Sequence, residues 1–119
     1  MNDPNCLFCK IVQGAIPAKK VYEDEDVLAF HDIRPVAPVH FLIIPKTHVP
    51  TLYEAGMAHH KALGKMLALA GGLAKQEGAA DGFRSIINTG RVGPQEVYHV
   101  HMHVIGGPHS LGPMILKQK

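Results

Sequence analysis

Between Tyr98 and Val104 polar and apolar residues alternate without a break. His99, His101 and His103 stand at every second position, with Val100, Met102 and Val104 between and after them. Period-two alternation suits a β-strand and no helix, because successive strand side chains point to opposite faces of a sheet. The run predicts a strand from Val97 to Ile105 that sends Val100, Met102 and Val104 into a core. Three imidazoles then share the other face. A face that met only water would be as well served by Thr, Lys or Ser, so the histidines call for a chemical explanation.

One metal held by all three is excluded on a regular strand. Cα atoms four residues apart lie about 13 Å apart, whereas an imidazole and its bond to zinc together reach on the order of 6 Å. A pair such as His99 and His101 could share an ion; the outer two would have to meet end to end. The other use of such a row is phosphoryl chemistry. A neutral imidazole is a nucleophile near neutral pH, a strand holds it stiffly, and flanking imidazoles donate hydrogen bonds and move protons. A phosphate pocket should then adjoin the row. The stretch from Asn88 to Glu96, with Gly90, Gly93 and Gln95, offers a strand end, a glycine-containing loop and an amide side chain. Taken alone, that stretch is an ordinary turn.

The rest of the chain frames this row. Its 119 residues suit a single domain, 1–119, and 46% hydrophobic with 18% charged residues is a globular composition. Twelve Lys and Arg against ten Asp and Glu leave +2, too little for a nucleic-acid coat or a membrane-surface protein. The N-terminus does not read as a secretory signal. From Val97 to Leu116 no Asp, Glu, Lys or Arg occurs, but four His, three Gly and two Pro there rule out a membrane span. A cytoplasmic protein is expected. Its two cysteines, Cys6 and Cys9, would close a tiny disulfide loop, whereas their spacing suits a metal.

Phe8 to Gln13 reads as a short helix, and Val21–Glu23 with Val27–Phe30 as a hairpin about Asp24-Glu25-Asp26. Arg34 to Pro38 must be a connection, since two prolines break either regular structure. His40–Ile44 and Phe83–Ile87 read as strands. One long helix is predicted from Glu54 to Glu77, where Leu63, Met66, Leu67, Ala70, Leu73 and Ala74 recur at three- and four-residue spacing. Gly64, Gly71 and Gly72 each cost about 1 kcal/mol relative to Ala there, so close packing is expected to favour them. His59 and His60 are expected mid-helix and solvated, and no role is assigned to His109. The order predicts an α+β fold with a mainly antiparallel sheet.

The segment Gln95 to Ile105, with His-Val-His-Met-His-Val-Ile at its centre, resembles the signature of the histidine triad nucleotide hydrolases. Cys6-Leu-Phe-Cys-Lys-Ile, Ala29-Phe-His-Asp-Ile, Ala37-Pro-Val-His-Phe-Leu-Ile-Ile-Pro-Lys, Gly106-Gly107 and Leu111-Gly-Pro-Met resemble the Hint branch in order and spacing. Nearly the whole chain is covered. The resemblance implies a HIT-like fold: five strands, one long helix and a short N-terminal helix, with the sheet joined across a homodimer. It implies hydrolysis of purine nucleoside 5′-phosphoramidates to an amine and a nucleoside monophosphate. Some relatives instead cleave dinucleoside polyphosphates.

By position, the resemblance makes His101 the nucleophile on the α-phosphorus, forming a nucleotidyl-histidine intermediate. His103, Asn88 and Gln95 would bind phosphate, and His40 would support the triad. Asp32 would take the ribose hydroxyls. Phe8, Ile11, Phe30, His31 and Ile33 would form the base pocket, with Glu96 and Val97 also on substrate. Read without the resemblance, Asp32 is a turn residue and Phe30 is core. Glu96 stands where better-studied members carry a hydroxyl; a carboxylate beside phosphate is repelled, so it points away or meets a cationic amine. Pro94 takes a place that is usually glycine and has no N–H to offer. Both bear on the leaving group rather than on the nucleophile.

The cysteine pair resembles that of a group holding structural zinc through two cysteines and two histidines, here Cys6, Cys9, His48 and His99. That assignment splits the row: His99, a member of the catalytic triad by sequence, would hold zinc while His101 and His103 face substrate. The chemical step would need no metal. Two other readings stand beside this one. In the first, paired triad histidines hold a zinc that activates water; the lack of an H-E-x-x-H arrangement speaks against it. In the second, the chain is a nucleotide sensor or interaction protein with incidental turnover.

Overall fold

The computed structural model describes residues 2–115. In chain order it contains α1 (Leu7–Val12), β1 (Lys20–Glu23), β2 (Val27–His31), β3 (Val39–Pro45), α2 (His60–Gln76), β4 (Phe83–Ile86) and β5 (Met102–Gly106). The five strands form one antiparallel sheet in the order β1-β2-β3-β5-β4. This is the expected α+β architecture, with one long helix and a short N-terminal one.

The sheet is covered on both faces, and the strand sequences say so. All seven residues of β3 are buried, a run too apolar for a sheet with one wet face. Val39, Phe41 and Ile43 face α2, where they pack with Met66, Ala70, Leu73, Ala74, Val100, Met102 and Val104. Leu42 and Ile44 face the other way, with Leu28 and Phe30, onto Cys6, Phe8, Cys9 and Ile11 of the α1 region. The helix of six residues thus roofs the face on which the histidines lie.

The β1–β2 hairpin closes on Asp24, whose Oδ1 accepts from the backbone N–H groups of Asp26 (2.8 Å) and Val27 (3.0 Å). Lys65 of α2 clamps that turn, its Nζ lying 2.9 Å from Asp24 and 2.7 Å from Asp26. These ties hold both aspartates below the usual carboxylate range: hydrogen bonds to Lys65 and the turn backbone outweigh desolvation at Asp24, and the Lys65 bond leads at Asp26.

The structure differs from the sequence expectation in four places. The last strand begins at Met102 rather than Val97, because Val100 N–H is bonded to Val49 C=O (2.8 Å) outside the sheet ladder. The long helix begins at His60 rather than Glu54, after a 3-10 turn from Met57 to His59. Thr51 and Glu54 bond to each other's turn (Thr51 N–H to Glu54 Oε1, 3.0 Å), which diverts the backbone from the helix. His59 and His60 consequently stand at the helix start, not mid-helix, with His60 Nδ1 2.7 Å from Met57 C=O. Close packing within the chain does not explain the helix glycines, since a Cβ at Gly64, Gly71 or Gly72 would meet nothing within 4 Å.

Gly106 is the reverse case. A Cβ there would lie 2.7 Å from Ala79 Cβ and 3.1 Å from Gly82 C=O, where the segment after α2 crosses β5. Gly106→Ala is expected to lower stability by about 1–3 kcal/mol, read as a lower midpoint in urea unfolding.

Candidate active site

Cys6, Cys9, His48 and His99 bring four ligand atoms within 4.8 Å of one another. Cys6 caps α1 and Cys9 lies one turn on; His48 follows β3 and His99 precedes β5. His48 Nδ1 and His99 Nδ1 are 3.3 Å apart, Cys9 Sγ lies 3.3 Å and 3.5 Å from them, and Cys6 Sγ is 3.4 Å from His99 Nδ1. Four ligands at zinc's ordinary bond lengths in a tetrahedron stand about 3.3–3.8 Å apart. The donor set and its spacing therefore fit a tetrahedral ion. His99 Nε2 lies 2.7 Å from Pro45 C=O, which only accepts, so Nε2 carries the proton and Nδ1 turns a lone pair into the cluster. Burial pushes His99 down to about 4, against the Pro45 hydrogen bond that raises it, so the ring is neutral. Burial likewise raises the Cys9 thiol, whose Sγ accepts from Asp3 N–H at 3.4 Å.

The same reasoning assigns the remaining rings. His101 Nδ1 lies 2.8 Å from His99 C=O, so Nδ1 carries the proton and Nε2 is the lone pair. On β3, His40 Nδ1 accepts from Val36 N–H (3.1 Å), so its Nε2 carries the proton and donates to His103 Nδ1 at 2.9 Å. His103 is left with its proton on Nε2. Asp32 Oδ2 stands 3.3 Å from His40 Nε2. Burial pushes both His40 and His103 below the usual imidazole value, which keeps this chain of tautomers neutral.

A cavity of about 820 Å³ opens beside these rings, under α1 and across β2, β3 and β5. Phe8, Ile11, Phe30, His31, Asp32, Ile33, His40, Glu96, Val97, His101 and His103 all line it. The Phe8 ring stands edge-on to His101 at 5.1 Å and to Phe30 at 5.6 Å. Phe30 is both core and lining, and Asp32 is both turn residue, accepting from Arg34 N–H at 2.8 Å, and lining. Three expected site residues lie elsewhere. His99 turns its ring into the cysteine cluster. Asn88 and Gln95 are not among the lining residues. Gln95 is buried with its amide committed: Oε1 accepts from Gly90 N–H (3.0 Å), and Nε2 donates to Pro50 (2.7 Å) and Val97 (2.9 Å). It braces the loop rather than facing the cavity.

Sequence reasoning passed over Lys19 and Arg34, which bring cations to the lining. It also passed over Glu77 at the end of α2, whose carboxylate stands 3.3 Å from His31 Nε2. No local pattern marks these positions; only the folded arrangement joins them to the site.

Residues 13–110 match the family described as the HIT domain. The chain is 51% identical over 110 residues to the purine nucleoside phosphoramidase of Escherichia coli K12, covering 92% of each. It is 49% identical to the 14 kDa zinc-binding protein of Zea mays, over 90% of this chain and 85% of that one. A HIT family hydrolase from Clostridium thermocellum superposes with a TM-score of 0.90 at 41% identity, covering 97% of this chain and all of its own.

The lowered values of His40 and His103 carry a sign. Unfolded, both rings take up protons near the ordinary pKa of about 6.5; folded, they do so only at lower pH. Stability from these two rings is therefore complete above pH 6.5 and is lost as pH falls through the folded values. Urea unfolding between pH 7.5 and 5 should show wild-type stability falling toward acid. His40→Asn should flatten that slope; an unchanged slope would mean the rings are not held neutral.

Proposed function

From the chain's membership in the histidine triad family, we propose that it hydrolyses purine nucleoside 5′-phosphoramidates, with His101 as the nucleophile. The observation that carries this reading is the opposed tautomers of two adjacent rings. His101 offers a lone pair on Nε2 and His103 a proton on Nε2, with ring centroids 5.2 Å apart on one cavity wall.

The step follows from those roles. His101 Nε2 forms a bond to the α-phosphorus as the phosphorus–nitrogen bond breaks. The His103 Nε2 proton bonds the phosphate and passes to the departing amine. Water then attacks the nucleotidyl-histidine, giving a proton back to His103 and releasing His101 and the nucleoside monophosphate. Phe8, Ile11, Phe30, His31 and Ile33 surround the base and Asp32 takes the ribose. Gln95 serves the phosphate at one remove, through the loop that it braces.

Cys6, Cys9, His48 and His99 would hold a zinc ion. It would supply structural cross-linking and no chemistry at phosphorus. A zinc-activated water at the triad is disfavoured by the hydrogen bonds there. His40 Nε2 and His103 Nδ1 share a proton at 2.9 Å, and His101 Nδ1 is spent on a carbonyl. Glu96 separates the phosphoramidate reading from the dinucleoside polyphosphate one. Glu96 lines the cavity with the two reacting rings and its charge acts on His103, so it would repel an anionic leaving group and tolerate an amine.

We further propose that the sheet continues across a homodimer through β4. That strand pairs with β5 on one side only among the described residues, and an unpaired edge invites a partner. On the same sheet α2 packs over β3 and β5 and exposes Gly64, Leu67, Ala68, Gly71 and Gly72, a face open to close approach. Sedimentation should give about twice the 12.9 kDa chain mass; a monomer at micromolar concentration would sink the dimer. No described helix is long and apolar enough to cross a membrane.

Wild-type protein turning over adenosine 5′-phosphoramidate should show a nucleotidyl adduct in intact-mass analysis of a single turnover. His101→Ala should lose the adduct and on the order of 10⁴-fold or more in kcat/KM. Turnover that survives this change would overturn the nucleophile and favour activated water; binding without turnover in the wild type would favour the sensor reading. In the same assay, Glu96→Gln should raise the rate on a dinucleoside polyphosphate relative to the phosphoramidate by about three- to tenfold.

A further inference from the structure

We propose that the Cys6–Cys9–His48–His99 cluster aims the nucleophile, so that metal binding and turnover are mechanically linked; this rests on the reading of His101 as the nucleophile. The two reacting rings have different anchors. His103 belongs to the sheet: it pairs with Leu42 of β3 and with Ile86 of β4, and His40 holds its ring. His101 precedes the ladder, whose first pair is Met102 with Ile43. Something other than the sheet must therefore orient it.

Apart from the His103 ring, whose centroid lies 5.2 Å away, the contacts that do so run back to a cluster residue or its neighbour. The carbonyl that accepts from His101 Nδ1 is that of His99, itself fully buried, with its ring held between Pro45 C=O and the two thiols. Val100, between His99 and His101, is hydrogen-bonded through its N–H to the carbonyl of Val49, which follows His48. The ring that abuts His101 edge-on belongs to Phe8, carried between Cys6 and Cys9 on one turn of α1. Phe8 also meets His99 at 5.9 Å. A tetrahedral ion would lock His99, the His48–Val49 segment and the Cys6–Cys9 turn against one another. Without it, four side chains in contact only at 3.3–3.5 Å exert little mutual restraint. His99 is thus a positioning residue, acting on phosphorus only through His101, and Phe8 joins it in that role besides lining the cavity. Much of the lining that would take base and ribose comes from β2 and the segment after it, Phe30 to Ile33, apart from this linkage.

The experiment compares zinc-loaded protein with protein stripped by a chelator, its folded state verified by circular dichroism. Long-range proton–nitrogen NMR on ¹⁵N-histidine protein follows the His101 Nδ1 proton. Stripping should shift or broaden that resonance and lower kcat by about 10–100-fold, a larger change than that in KM, and zinc alone should restore both. A folded, metal-free chain that keeps the resonance and kcat overturns the proposal, as does a chain that takes up no zinc. Should stripping unfold the protein, zinc- and cadmium-loaded forms are compared instead: a His101 resonance that differs between them supports the linkage, and identical resonances overturn it. A resonance that moves with the metal while kcat stays constant upholds the mechanical link and overturns His101 as the nucleophile.

Discussion

A neutral imidazole has one proton for two nitrogens, so whatever bonds to one nitrogen dictates what the other can do. The backbone makes that choice three times here. Val36 N–H takes the lone pair of His40 Nδ1, Pro45 C=O takes the proton of His99 Nε2, and His99 C=O takes the proton of His101 Nδ1. From these three contacts follow the relay from His40 to His103, the lone pair that His99 aims at the thiols, and the one His101 keeps free. Burial supports the scheme by making protonation costly at His40, His99 and His103. A tautomer set by a side chain can change with a rotamer; one set by backbone persists as long as the fold does.

Such fixed contacts need a scaffold that is dry on both sides. β3 supplies it, with α2 packed on Val39, Phe41 and Ile43 and the α1 region on Leu42 and Ile44. His40 sits within this strand, on the face of Leu42 and Ile44, buried yet one residue from Phe41. α1 is too short to be stable by itself. It is held by its apolar residues and by cluster contacts, and it contributes Phe8 to core, cavity and the flank of His101 at once.

The alternation of the histidine run was legible because side-chain direction depends on extended backbone, not on membership in a ladder. Val100, Met102 and Val104 all reach the core, though Val100 lies outside β5. What alternation hides is where hydrogen bonding starts. That depends on Val49, half the chain away, and it separates His101 from His103. The spacing of Cys6 and Cys9 suggested a metal, but the meeting of that pair with His48 and His99 is a tertiary fact that the family resemblance alone anticipated. Gln95 shows the limit from the other side. An amide in a glycine-containing loop has the chemistry of a phosphate ligand and of a loop brace alike; only its three partners show that bracing occupies it. Lys65 was equally opaque, since a helix lysine reads as solvated until the hairpin turn arrives beside it.

The neutrality of His40 and His103 has a consequence for where binding energy is spent in the proposed reaction. Neutral His103, held by neutral His40, offers a bound phosphate a hydrogen bond but no ion pair, so the ground state gains modestly from it. Charge arises during reaction. In the proposed step, as His101 Nε2 bonds to phosphorus its ring would become cationic, and the 2.8 Å contact from Nδ1–H to His99 C=O would turn into a charge-assisted hydrogen bond of roughly twice the strength. Positive charge reaching His103 or His40 meets Asp32, whose Oδ2 stands 3.3 Å from His40 Nε2. These groups are in place beforehand and need no reorganisation. They favour the reacting arrangement over the resting one, which is the condition for an interaction to lower the barrier rather than merely to tighten binding.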